Sequence, residues 1–436
     1  MTGALLVRGA SFVWTGSELY EDADVLCDAG QVVAVGADLP GADGMTVIEG
    51  IGCLVSPGLV NAHHHLLQSA FRTLPGTRHV PMREWLPTMA AAYGRAQLDA
   101  ELAGAAAAVA VAEGLLCGVT TVADHVLNWP ADVDGLDVAE AIADAARTLG
   151  GRLVLVRGTA GDDADAAASE AERLVGRFGA RSEDGMFALA VGPAGVHSDG
   201  PETFAALREV ALRHGLQRRT QANEQVDVPI AVQRHGRRPL ELLEEWGWLE
   251  PGVTVAHLCE ITPDELRLVA ASGVTATHAP ACDLAMGWGL MPAGALIDAG
   301  VTVGLGTSGG GSNDAGHLLA DARLAMQASP LTGRALTALE VLGMATRGSA
   351  LGLGRPALGR LDAGSAADLV LYDLRGVADA GVADPVAGLI WASPGRRPRD
   401  VVVNGVPVVR DGVLLAEDET RVANRLARTL ALRGVA

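Results

Sequence analysis

The chain has 436 residues, 49% of them hydrophobic, which is enough for one large domain plus a smaller one and excludes a disordered protein. Its 52 acidic against 33 basic residues give a formal charge of -19, which repels nucleic-acid phosphates and anionic lipid and favours a small neutral or cationic partner. Every basic residue is Arg, so chemistry that needs a lysine is excluded: Schiff bases, pyridoxal attachment, the P-loop lysine and a carbamylated lysine bridging two metals.

Residues 1–56 are short alternating runs broken by Gly and Asp ("LLVRGASFVW", "ADVLCDAGQVVAVGADL", "MTVIEGIGCLV") and read as strands. Eight apolar strand candidates follow: 59–62, 119–123, 153–157, 187–192, 216–221, 253–257, 274–278 and 301–306. Most are separated by helical segments such as "PETFAALREVALRHG" and "PDELRLVAASG", with Pro in the first turn and Gly at the end. Strand then helix, eight times over, is the pattern of a (β/α)8 TIM barrel, an α/β fold. A doubly wound open sheet competes with it, but no G-x-G-x-x-G turn follows the first strand. Residues 357–436 return to short strands, so both termini are expected to build one small β-sandwich beside a barrel spanning 57–356.

In such barrels chemistry sits at the C-terminal ends of the strands. Those ends carry His63 and His65, then Asp124 and His125, Gln221 with Glu224, His257, His278, and Thr307-Ser308. Six of the 11 histidines fall there once His64 is counted, far from an even scatter. In an extended segment His63 and His65 point to one side and His64 to the other. Two imidazoles on one side, joined by a third from another strand, suit a divalent transition metal.

These residues carry a resemblance. "PGLVNAHHHL", "GVTTVADHVLNWP", "ANEQVD", "VAHL", "DLAMGWGLMPAGALIDAGVTVGLGTSGGGSND" and "LGRLDAGSAADLVLYDL" are similar to the amidohydrolase superfamily. The branch is the one holding triazine hydrolases and deaminases of guanine, 8-oxoguanine and related heterocycles. The resemblance implies one Zn or Fe ion activating water to displace an amino or similar group from a ring carbon. It makes His63, His65 and His257 metal ligands, with His257 also orienting the water, and Glu224 the acid that protonates ring nitrogen and leaving group. Gln221 stands where the family usually has a ligand His, and Ser308 where it usually has an Asp; one triazine hydrolase subgroup carries a Thr hydroxyl there. The completing shell is then His257 with weak partners at Gln221 and Ser308, and the metal is expected to be weakly held. Gln68, Trp85, His125, Asn128, His278, Asp283 and Trp288 are the candidates for contacting the ring.

The alternative is a metal-poor relative or variant that binds a heterocycle without hydrolysing it, or does non-hydrolytic chemistry. Five scattered cysteines argue against disulfides and for the cytosol. No run approaches 18 apolar residues, and the N-terminus lacks the charged start and long apolar stretch of a signal peptide. A cytoplasmic homodimer acting on a small N-heterocycle, with neither nucleic acid nor membrane as partner, completes the expectation.

Overall fold

The computed structural model describes residues 3–392 and 394–435. Eight parallel strand positions run round a barrel: Leu59–His65, Val119–Val126, Arg152–Thr159, Phe187–Pro193, Gln217–Ala222, Val253–His257, Thr275–His278 and Val303–Leu305, here barrel strands 1 to 8. They pair in that order, and Ser308–Gly309, a continuation of strand 8, pairs with strand 1 and closes the ring. Every residue of strands 1 to 3 is buried, as parallel strands covered on both faces must be. Gly306 lets strand 8 pass against strand 1, since a Cβ there would lie 2.7 Å from the His63 carbonyl oxygen.

The surrounding helices start and stop on local chemistry. Asp99 accepts from the Leu102 amide and Asp163 from the Ala166 amide, and Thr262 forms a capping box with Glu265. The expected Pro starts and Gly stops hold for Pro201–His214 and Pro263–Ser272, which end at Gly215 and Gly273 in the left-handed region. Between strand 1 and the helix Ala100–Leu116 the chain inserts a 3-10 turn, Leu66–Phe71, and a further helix, Met82–Ala96.

Strands from both termini share a second sheet. Its hydrogen-bonded path runs through Val413–Leu414, Val406–Arg410, Asp400–Val403, Leu369–Asp373, Cys53–Pro57, Leu5–Trp14, Leu19–Asp28 and Gln31–Gly36, with Thr46–Glu49 paired to Leu5–Trp14. The sheet curls on itself: Gln31 bridges Ala366, and the Ala367 amide donates to the Gly30 carbonyl. It closes over its own aliphatic core, which includes Val7, Val25, Ile48 and Leu369. A buried bidentate pair, Arg152 Nε and Nη2 to Asp368 Oδ2 and Oδ1 at 2.8 and 2.9 Å, ties it to barrel strand 3.

Candidate active site

Alternation along strand 1 aims His63 and His65 into the barrel mouth and His64 away from it. His64 Nδ1 lies 2.8 Å from Thr307 Oγ1, a contact that pins strand 8 to strand 1. His65 Nδ1 donates to the His125 carbonyl at 2.7 Å, which fixes the proton there and leaves Nε2 an electron-pair donor. His63 Nε2 is buried and has no hydrogen-bond partner among the described residues. Burial and the neighbouring imidazoles hold His63 well below the usual histidine range, and burial takes His65 down to about 4. Both are therefore neutral at pH 7, the form that binds a metal.

His257 completes the group, with ring centroids of His63 and His65 4.9 Å apart and of His63 and His257 5.2 Å apart. Its Nδ1 lies 2.8 Å from Asp283 Oδ1, and its Nε2 lies 3.1 Å from Gln221 Oε1 and 3.6 Å from Glu224 Oε1. Gln221 Nε2 donates to the Ala194 carbonyl at 3.3 Å, which turns the amide oxygen towards His257. Burial works against a charged His257, but the Glu224 and Asp283 carboxylates outweigh it and raise its pKa. Ligand atoms on one four-coordinate zinc lie roughly 3.4 Å apart, so the Oε1 to Nε2 separation also suits two ligands of a single ion. The unpartnered His63 Nε2 and the Nε2 freed on His65 fit a divalent metal, and an ion there would displace the proton that the carboxylates favour on His257.

Glu224 is 1% exposed, and its Oε2 has no partner among the described residues. Burial pushes its carboxyl above the ordinary range against the opposing pull of the His257 imidazole, and nearby Asp227 adds to the upward effect. Asn223, His257 and Ser308 all take left-handed backbone, with φ of 55°, 74° and 56°. Such conformations cost energy for residues with a Cβ, and they gather here at the ends of strands 5, 6 and 8.

A cavity of about 270 Å³ opens beside these groups, although His63 itself is not in its lining. His65, Gln221, Glu224, His257 and Ser308 line its floor. Of the expected ring contacts, Gln68, Trp85, His125, Asn128 and Trp288 line it too. Several are already engaged: Gln68 Oε1 accepts from the Gly311 amide at 3.0 Å, Trp85 Nε1 donates to the Gly311 carbonyl at 3.1 Å, and His125 Nε2 donates to Gly192 at 2.8 Å. Trp288 Nε1 has no partner among the described residues, and its ring meets Trp85 edge to face at 5.6 Å.

Two expected ring contacts lie outside the cavity lining. Asp283 is fully buried behind His257 and orients that imidazole instead of lining the cavity. His278 is 2% exposed and likewise lies outside the lining, where burial lowers it to about 4. Both sit where the motif placed them, but the direction of each side chain is set by packing.

Sequence reasoning missed His197 and Asp227. His197 lines the cavity from the loop after strand 4, and its Nδ1 bonds Asp227 Oδ1. Ligand atoms of His197, Glu224 and Asp227 all lie within 4.8 Å of one another. Burial disfavours a charged His197, yet the Asp227 carboxylate raises it to about 9, so the pair is ionic at neutral pH. The available signal was "GVHSDG", a histidine four residues past the end of strand 4. Arg219 was missed too: two residues before Gln221, it is 2% exposed and donates from Nη2 to the Ala62 carbonyl. Its Nε and Nη1 have no partner among the described residues, and burial alone lowers it to about 10.

Residues 54–408 match the model of the amidohydrolase family. The chain belongs to that family. It is 33% identical over 379 residues to an 8-oxoguanine deaminase of Pseudomonas aeruginosa, covering 83% of each chain. It is 32% identical over 415 residues to a 5-methylthioadenosine/S-adenosylhomocysteine deaminase of Halobacterium salinarum, covering 93% of each. Among solved structures it superposes on atrazine chlorohydrolase from Arthrobacter aurescens complexed with zinc, with a TM-score of 0.91 and 36% identity over 98% of this chain and 100% of that one. Within this amidohydrolase the two departures noted in the sequence, Gln221 and Ser308, both face the cavity floor.

Proposed function

We propose that this amidohydrolase is a metal-dependent hydrolase that displaces an amino group, or a comparable leaving group, from a ring carbon of an N-heteroaromatic compound. The observation that carries the reading is Glu224: a buried carboxyl with an unpartnered oxygen, raised in pKa, on the same cavity floor as imidazoles prepared for a metal. His63, His65 and His257 would hold the ion, with Gln221 Oε1 beside His257 and Ser308 on the strand paired with that of His63 and His65. When bound, a zinc or iron ion supplies Lewis acidity and lowers the pKa of a water from 15.7 to about 7.

The chain's own residues do the rest. Glu224, raised to about 7 because a carboxylate there is poorly solvated, exchanges a proton readily near neutral pH: it can deliver one to a ring nitrogen, take another from the hydrolytic water, and pass that one to the leaving amine. Asp283 holds the His257 ring in place from behind, so that Nε2 stays aimed at the floor. Trp85 and Trp288 offer faces and edges to a flat ring, and Trp288 Nε1–H remains available as a donor. The ionic His197–Asp227 pair adds a fixed donor at the cavity wall.

A second reading, binding without hydrolysis, is favoured by the 3.1 Å contact that engages His257 Nε2 with the Gln221 amide oxygen. Ammonia release from a panel of aminated purines, pterins and triazines, with metal content measured on the same preparation, separates the two. Turnover that vanishes on chelation supports the hydrolase; tight binding of a panel member with no product from any supports the alternative.

The proposal includes a cytoplasmic homodimer, with the barrel at 57–356 and the flanking parts at 1–56 and 357–436. Five free cysteines support the cytosol, and no helix among the described residues is long and apolar enough to cross a membrane. The sharing of one sheet by both termini supports the division.

A further inference from the structure

Besides its polar floor the cavity has a set of apolar lining side chains, here called its apolar arm. The helix Met82–Ala96 presents Met82, Leu86, Met89 and Tyr93 to it, the spacing of one helical face. Leu98, Ala103 and the pair Val138 and Ile142, one turn apart on the helix Gly135–Leu149, line it too. Tyr93 brings the one polar group among these side chains, and its hydroxyl is engaged with Gln68.

Among the described residues no arginine lines the cavity, while Asp124 and Glu224 do. An anionic substituent would lose its hydration here and meet, as candidate cations, only imidazoles already engaged by carboxylates, His197 with Asp227 and His257 with Asp283. An alkyl or thioalkyl substituent would instead cover apolar wall, at roughly fourfold in affinity per buried methylene.

We infer that the substrate is an N-heterocycle carrying an uncharged apolar substituent, seated against the helix Met82–Ala96, and that carboxylated or phosphorylated analogues are rejected. This deepens the hydrolase reading and rests on it for the ring, whereas the apolar arm is argued from its own walls.

The test uses two ring series with the purified wild-type protein: melamine, N-butylmelamine and N-(3-carboxypropyl)melamine, and adenine, 9-butyladenine and 9-(3-carboxypropyl)adenine. Binding is followed by quenching of tryptophan fluorescence, since Trp85 and Trp288 line the cavity, and ammonia release is followed separately. In whichever series binds, the butyl compound should bind at least tenfold tighter than the bare ring and than the carboxypropyl compound. Leu86→Arg should reverse the order of the two substituted compounds by placing a cation in the arm. Bare and butylated rings within threefold of each other, a carboxypropyl compound bound as well as the butyl one, or no binding in either series overturns the inference. A butyl preference without ammonia release keeps the arm and counts against hydrolysis; ammonia release without a butyl preference does the reverse.

Discussion

The cavity's floor is made of strand-end groups whose second atoms are tied down: His65 to a carbonyl, His257 to Asp283, Gln221 to Ala194. Its roof, the helix Met82–Ala96, offers side chains held mainly by apolar packing in a satellite cluster with Phe71 and Trp288. The floor needs direction, because proton transfer and metal ligation fail when an atom moves by a fraction of an ångström. The roof needs only shape and hydrophobicity, and such surfaces tolerate substitution while changing what they admit.

The sharpest way to probe that contrast is Glu224→Gln. It should lower turnover by about a thousandfold, since an amide cannot supply the proton, and leave binding of a butylated ring within a few-fold of wild type. Steady-state rates beside fluorescence titrations would show it; a variant retaining a tenth of wild-type turnover would mean that another group is the acid.

Gln221→His should raise metal retained after dialysis against a chelator on the order of tenfold or more, because imidazole replaces an amide oxygen at the floor. Elemental analysis decides: a wild type that already keeps a full equivalent contradicts the premise of weak binding. Turnover should rise with occupancy, and occupancy without faster turnover would move the limitation away from the metal.

Asp283→Asn keeps the volume behind His257 but removes the charge that orients it, and should cost about 10–100-fold in metal affinity or activity. A change below threefold would assign Asp283 to packing. On the roof, Leu86→Ala should raise KM for a butylated ring several-fold with kcat unchanged, the mark of lost uniform binding; a comparable fall in kcat would bring the roof into the chemistry.

The smallest effect concerns Asp321, which supports the floor loops through Asn313 Nδ2 at 3.1 Å and the Ala281 amide at 3.3 Å. Burial pushes it from the ordinary 3.8 up to about 7, so the folded state holds a proton that the unfolded chain releases. Stability should therefore fall as pH rises from about 4 to about 7 and stay lower above. Asp321→Asn should shrink the loss of Tm between pH 5 and 8 by roughly 2–5 °C. Thermal scans at the two pH values check it, and an unchanged difference would mean that Asp321 ionises freely in the fold.

What the sequence determined by itself was the part governed by short-range periodicity. The eight strand positions, the helix stops at Gly215 and Gly273 and the opposite facing of His63 and His64 follow from alternation, capping and turn chemistry within a few residues. Glu224 and His257 were legible as strand-end groups for the same reason. Tertiary structure decided where long-range packing sets direction: Asp283 turns behind His257 instead of into the cavity, and Asp227 reaches His197 from thirty residues away. The roof was hidden because the Met82–Ala96 helix reads as an ordinary amphipathic segment, and only its placement over the barrel mouth makes its apolar face a ligand wall instead of core. Arg219 remained invisible as well, since nothing local says that a strand arginine will be folded inward with no carboxylate to meet it.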